Sequence, residues 1–215
     1  MTRAGAQSQG SAGHTTDELL SIAERLFAER GVENVPLTSI VALSKQKNRS
    51  AVHYHFGSRN GVLTAVLNRR LVSINARREA VLDALPPAPS LQLILWSATW
   101  ALTEAVVDEA WGADYVAVLA QVISHPQVLG GEAVDNALMT GARHTRRLVS
   151  LALPQLPAEI LGRRLAWWNE TVVSSLARWV RDTPAAGRSP QAAETLVNHL
   201  VAYGAAGLAA PAPAN

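Results

Sequence analysis

The residues with the most legible chemistry are cationic and clustered. From Asn34 to Arg78 the chain carries Lys45, Lys47, Arg49, Arg59, Arg69, Arg70, Arg77 and Arg78 and not one aspartate or glutamate. At the centre of this stretch stands Asn48-Arg49-Ser50-Ala51-Val52-His53-Tyr54-His55-Phe56, where guanidinium, hydroxyl, imidazole and phenol groups follow one another. Such groups read nucleic acid: arginine bridges guanine O6 and N7, serine and histidine meet single donors or acceptors, and tyrosine with a neighbouring histidine bonds phosphate oxygens. Charge is partitioned in the same sense. The net formal charge is +2, but residues 1–78 hold 11 basic and 5 acidic side chains, a balance of +6, whereas residues 79–215 hold 8 and 12, a balance of −4. A local positive field draws polyphosphate by Coulomb attraction and counterion release, and an acidic remainder stays off it.

Other chemistries find less support. With no cysteine, disulfides, thiol nucleophiles and cysteine-based zinc sites are excluded, and the composition fits a reducing, cytoplasmic setting. His53 and His55 are two apart, so on a helix they point about 200° from each other and do not chelate one ion. His14, His125, His144 and His199 are scattered and read as surface or satisfied histidines. No His-Glu-x-x-His, Gly-x-Ser-x-Gly or glycine-rich phosphate loop occurs. No catalytic residue, metal ligand or cofactor is therefore expected, and a helical enzyme is the remote alternative. The most apolar long run, Leu91 to Val107, is broken by Gln92, Ser97, Thr99, Thr103 and Glu104 and falls short of a bilayer span, so no membrane partner is expected.

The elements that must position these groups are helical throughout. Apolar residues recur at three and four, and no stretch alternates with a period of two. The fold class predicted is all-α: an N-terminal three-helix helix-turn-helix head joined by a long helix to a helical-bundle body. Residues 1–14 read as a disordered tail, 15–60 as the helix-turn-helix DNA-binding domain and 61–210 as the regulatory and dimerisation domain. A first helix starts near Thr16 and buries Leu19, Ile22, Ala23, Leu26 and Phe27 until Gly31 stops it. A short helix capped by Thr38 turns Ile40 and Val41 inward. The polar run from Ser44 to Asn48 makes the turn into a second short helix over about Arg49 to His55. There Val52 and Phe56 face inward and Arg49, Ser50, His53 and Tyr54 outward. Ser58 caps a long helix to about Leu85, with Leu63, Val66, Leu67, Leu71 and Ile74 on one face. Thr38 and Arg59 begin helices that should abut phosphates. After Leu85-Pro86-Pro87-Ala88-Pro89-Ser90, helices are predicted at about 90–109, 113–124, 131–152, 158–182 and 191–208, with prolines between them.

From Asp17 to about Leu67 the chain resembles the DNA-binding head of the TetR family of transcriptional repressors, on Leu26-Phe27, Gly31, Thr38-Ser39-Ile40, Tyr54-His55-Phe56-Gly57-Ser58-Arg59 and Leu63. The resemblance implies a homodimer on a palindromic operator of double-stranded DNA, with a body that holds a small-molecule inducer. By position it implies base contacts from Arg49, Ser50 and His53 and phosphate contacts from Thr38, Tyr54, His55 and Arg59. Where the family usually has Ala-Gly-Val-Ser before its recognition helix, this chain has Leu43-Ser44-Lys45-Gln46-Lys47-Asn48, one residue longer and without the glycine. Lys47 and Asn48 therefore join the candidates for base contact.

In the body, Leu161, Leu165, Trp168, Val172, Leu176 and Trp179 form one stripe, and Ala193, Leu196, Val197, Leu200, Gly204 and Gly207 another. Small residues let backbones approach, so the helices at about 158–182 and 191–208 are the expected dimer face, with an intramolecular core as the competing reading. All six tryptophans, 96, 100, 111, 167, 168 and 179, lie here. Their flat apolar walls suit an apolar or aromatic inducer. The expected lining is Trp100, Tyr115 and Trp168 with His125 and Asn169 as polar partners, although core packing competes for each tryptophan. The alternative within DNA binding is a protein whose body only dimerises.

Overall fold

The computed structural model describes residues 5–44, 56–125 and 134–212, with side chains from Thr16 onward. These contain α1 (Gly5–Arg30), α2 (Leu37–Leu43), α3 (Arg59–Asp83), α4 (Leu91–Asp108), α5 (Gly112–Val122), α6 (Thr140–Ala152), α7 (Ala158–Asp182) and α8 (Pro190–Ala209). Short 3-10 turns lie at Val32–Asn34, Asn136–Met139 and Ala185–Gly187, and no strand occurs among the described residues. The all-α expectation holds.

Local chemistry sets most helix ends. Gly31, at φ 88°, ends α1 in a backbone conformation that L side chains rarely adopt, and the Asn34 amide donates to the freed Arg30 carbonyl at 2.8 Å. Ser58, Ser90 and Ser189 each accept an orphan amide of the helix that follows, from Gly61, Leu93 and Ala192 at 3.1, 3.2 and 3.2 Å. A hydroxyl cap of this kind stabilises a helix by about 1 kcal/mol. Pro190 opens α8, where its missing N–H is not needed.

Three boundaries differ from the sequence reading. The first helix begins at Gly5 rather than near Thr16, so helix replaces most of the expected tail. No proline intervenes, and Gly10 and Gly13, at about 1 kcal/mol each, weaken a helix without breaking it. Pro36, not Thr38, caps α2: its extended backbone precedes Leu37 and its carbonyl accepts from Ser39 N at 3.0 Å, so Thr38 falls inside the first turn. The helix expected from 131 divides, with a 3-10 turn in which Asp135 accepts from Ala137 N at 2.9 Å before α6 starts at Thr140.

One hydrophobic core runs from head to body. Leu19, Ala23, Leu26 and Phe27 of α1 are buried with Ile40 and Val41 of α2 and with Val62, Leu63, Val66 and Leu67 of α3. Beyond them, α5 packs on α1 and α7, α4 on α3 and α8, and α6 on α3 and α4. The predicted stripe of α7 is buried from Leu161 to Leu176, and the Trp168 ring lies against α8 where Gly204 leaves it room. A Cβ at Gly204 would sit 2.1 Å from that ring. No helix of the described residues is long and apolar enough to cross a membrane.

Candidate functional site

Seven of the nine expected DNA contacts, Lys47, Asn48, Arg49, Ser50, His53, Tyr54 and His55, lie outside the described residues. The structure places the other two and the frame around them. Thr38 is exposed in the first turn of α2. Phe56 packs against the core, as its inward register requires, and Gly57-Ser58 leads from it into α3. Arg59 opens α3 only partly exposed, and Glu33 holds it: Nη1 donates to the Glu33 carbonyl at 2.8 Å and Nη2 pairs with the Glu33 carboxylate. Its Nε is buried with no partner among the described residues. The guanidinium expected to hold a phosphate is thus already engaged by an exposed carboxylate.

The acid-free stretch is not acid-free in space. Glu24 of α1, only 2% exposed, accepts from Arg69 Nη2 at 3.1 Å and from Arg70 Nε and Nη2 at 3.0 and 2.6 Å. Arg69 also donates to the Asp17 carbonyl at 2.9 Å, and Arg70 lies 4.5 Å from the centre of the Trp111 ring. Burial draws the Arg69 pKa below its ordinary value, with Arg70 beside it acting the same way and Glu24 opposing. Arg77 pairs with Glu109 and, at 3.9 Å, with Glu104. Arg78 turns inward to the Ala98 carbonyl at 3.3 Å and Asn75 Oδ1 at 3.2 Å, and burial lowers its pKa as well. Four of the eight cations therefore build the joint of α1, α3, α4 and α5 rather than an outer surface.

A second joint was invisible in the sequence. Gln121, on the last turn of α5, accepts from Val32 N at 2.8 Å through Oε1 and donates to the Phe27 carbonyl at 3.0 Å through Nε2. One body side chain thus caps the end of α1 from 89 and 94 residues away. Glutamine has no sequence signature for such a role, and none preceded the geometry.

The expected pocket residues find separate neighbours. Trp100 stacks on Trp96, with ring centres 5.1 Å apart and planes 8° from parallel, and the Trp96 indole donates to Asn198 of α8 at 3.0 Å. Tyr115 is buried edge-on to Trp111 at 5.9 Å, and desolvation pushes its phenol well above the ordinary range, so it is a neutral hydroxyl. Trp168 packs on Gly204. His125 and Asn169 are exposed.

Residues 99–207, half of the chain, match the family model for the tetracyclin repressor-like C-terminal domain. The chain belongs to the TetR family. Among solved structures, the TetR-family transcriptional regulator PfmR from Thermus thermophilus is 19% identical over 92% of this chain and 97% of its own, with a TM-score of 0.55. The ketosteroid transcriptional regulator KstR2 of Mycobacterium tuberculosis is 17% identical over 89% and 93%, with a TM-score of 0.56. No curated protein sequence matches. As a TetR-family transcriptional regulator the chain is a DNA-binding helical protein. The family match falls on the body, whereas the resemblance read from the sequence fell on the head, so the two together span most of the chain.

Proposed function

We propose that this TetR-family protein is a homodimeric, ligand-responsive repressor, released from a palindromic operator by a small apolar or aromatic inducer. Lys47, Asn48, Arg49, Ser50 and His53 read bases, and Thr38, Tyr54, His55 and Arg59 hold phosphates. The observation that carries the regulatory reading is the Gln121 bridge, because it fastens the body helix α5 to the end of α1 at the entry to the DNA-binding head. A ligand that shifts α5 displaces Phe27 and Val32 with it, and Glu24 passes the shift to α3 through Arg69 and Arg70. The two heads then no longer match their half-sites. Coupling of this kind amounts to about 1–3 kcal/mol. Dimerisation would use α7 and α8.

One observation favours the second reading, a body that only dimerises: Trp100, Tyr115 and Trp168 are each already packed against protein. Two experiments decide. Selection of bound fragments from random DNA should return a palindrome, and no retained DNA at low ionic strength would refute the operator. Thermal unfolding with a panel of aromatic and apolar metabolites should show stabilisation by at least one that also lowers operator affinity. A ligand that stabilises the protein yet leaves operator affinity unchanged would count against induction.

A further inference from the structure

The C-terminal end of α3 meets α6 in a mixed set of metal-binding groups. Glu79 and Asp83 lie one turn apart on α3 and face the imidazole of His144. His144 Nδ1 is 3.0 Å from Glu79 Oε2 and 3.8 Å from Asp83 Oδ1, and one donor atom from each of the three residues lies within 4.8 Å of the others. Among the described residues neither carboxylate has an arginine or lysine nitrogen within 4.0 Å. The last turn of α3 contains no basic residue, although the helix dipole concentrates negative potential there. The two helices are held in register close by: a Cβ at Gly141 would come within 2.8 Å of Asn75 Oδ1, and the Asn75 amide donates to the Leu138 carbonyl.

We propose that Glu79, Asp83 and His144 bind a divalent transition-metal ion of the zinc type that ties α3 to α6. Four donors at about 2.1 Å around a tetrahedral ion stand about 3.4 Å from one another, and the two distances to Nδ1 straddle that value. Two carboxylates match the dication in charge, and water takes the fourth position. An imidazole in the set selects zinc, cobalt or nickel over magnesium and calcium, which prefer oxygen alone. Without metal, a proton on Nδ1 bonds Glu79 while Nε2 lies 3.5 Å from Arg147. On binding, the Nδ1 lone pair goes to the ion, the ring carries its proton on Nε2, and the exposed Arg147 side chain swings aside. Asp83, with its side chain 71% exposed, is free to rotate onto the ion. The site does not depend on DNA binding or on an inducer.

The test is titration of the untagged, metal-stripped full chain, with Zn²⁺ by calorimetry and with Co²⁺ by visible absorption. One equivalent per chain is expected, with the d–d bands of low-coordinate cobalt. His144→Ala and Glu79→Gln should each weaken binding by more than about tenfold, since even outer-shell losses at metal sites do so, while His199→Ala leaves it unchanged. Asp83→Asn alters an exposed side chain and keeps the test open if the His144 variant does not fold. Absence of Zn²⁺ binding, or binding that survives all three site substitutions, overturns the proposal. Variants that lower the melting temperature without any metal bound to the parent would assign the cluster to a plain interhelix hydrogen bond and overturn it too.

Discussion

Glu33 pairs with Arg59, the residue proposed to hold a phosphate at the start of α3. An exposed ion pair of this kind is worth about 0–1 kcal/mol, so a phosphate competes with it on nearly even terms. Glu33→Gln should therefore tighten binding to every DNA sequence by up to about 1 kcal/mol. Arg59→Ala should weaken all sequences alike and reduce the salt slope by about one. Arg49→Ala should instead relax preference at one base position, at about 1–3 kcal/mol. Binding of each variant to operator and to unrelated duplex across a salt series separates the roles, and equal losses on every sequence would void the division. At this scale the sequence was legible only in part. It showed a run of cations but not that Glu24 and Glu109 fold onto Arg70 and Arg77, because those pairs span 46 and 32 residues. Acid-free sequence is not the same as unpaired charge.

Among elements, the two joints of α1 differ in what they do. Glu24 is buried with two guanidiniums, so Glu24→Gln leaves charge uncompensated in a low-dielectric place and should destabilise the fold by about 3–5 kcal/mol in denaturant unfolding. Gln121→Ala removes one acceptor and one donor at a partly buried site and should cost about 1–3 kcal/mol. It should also speed hydrogen exchange at the Val32 amide more than at the amides of α5. Unchanged protection at Val32 would mean that Gln121 is not what holds the end of α1. Helix positions were largely legible, since apolar period and serine caps act within a few residues: α7 lies where the sequence put it, at 158–182, and Ser58 caps α3. The misses have equally local causes. Thr38 competed with Pro36 for the cap of α2, and glycines near the N-terminus looked like an end to helix that they only weaken. What no local pattern carries is which helix a polar side chain reaches, and Gln121 is that case.

For the whole molecule, what covers the outer face of α7 and α8 is the larger matter. Trp167 is 58% exposed and Tyr203 71%, and each immediately precedes a residue of the Trp168–Gly204 contact, so the two rings stand at one level of the helix pair. Large apolar side chains left in water beside Ala202, Ala206 and Gly207 make a surface on which a second copy can approach closely. Neither ring supports the chain's own core, so replacing both, Trp167→Glu with Tyr203→Glu, should leave helicity and the unfolding midpoint of the isolated chain nearly intact. Assembly should be lost and, if the proposed operator is bound by a dimer, operator affinity with it, because a single DNA-binding head makes too few contacts to hold a specific site alone. Gly204→Val provides the contrast: its branched side chain enters the space of the Trp168 ring, and overpacking of this kind costs about 1–3 kcal/mol within each chain before any partner is considered. Sedimentation of the double variant decides between the readings, since a dimer of unchanged strength would place the interface elsewhere, and a monomer that still binds the full palindrome with parent affinity would separate assembly from recognition.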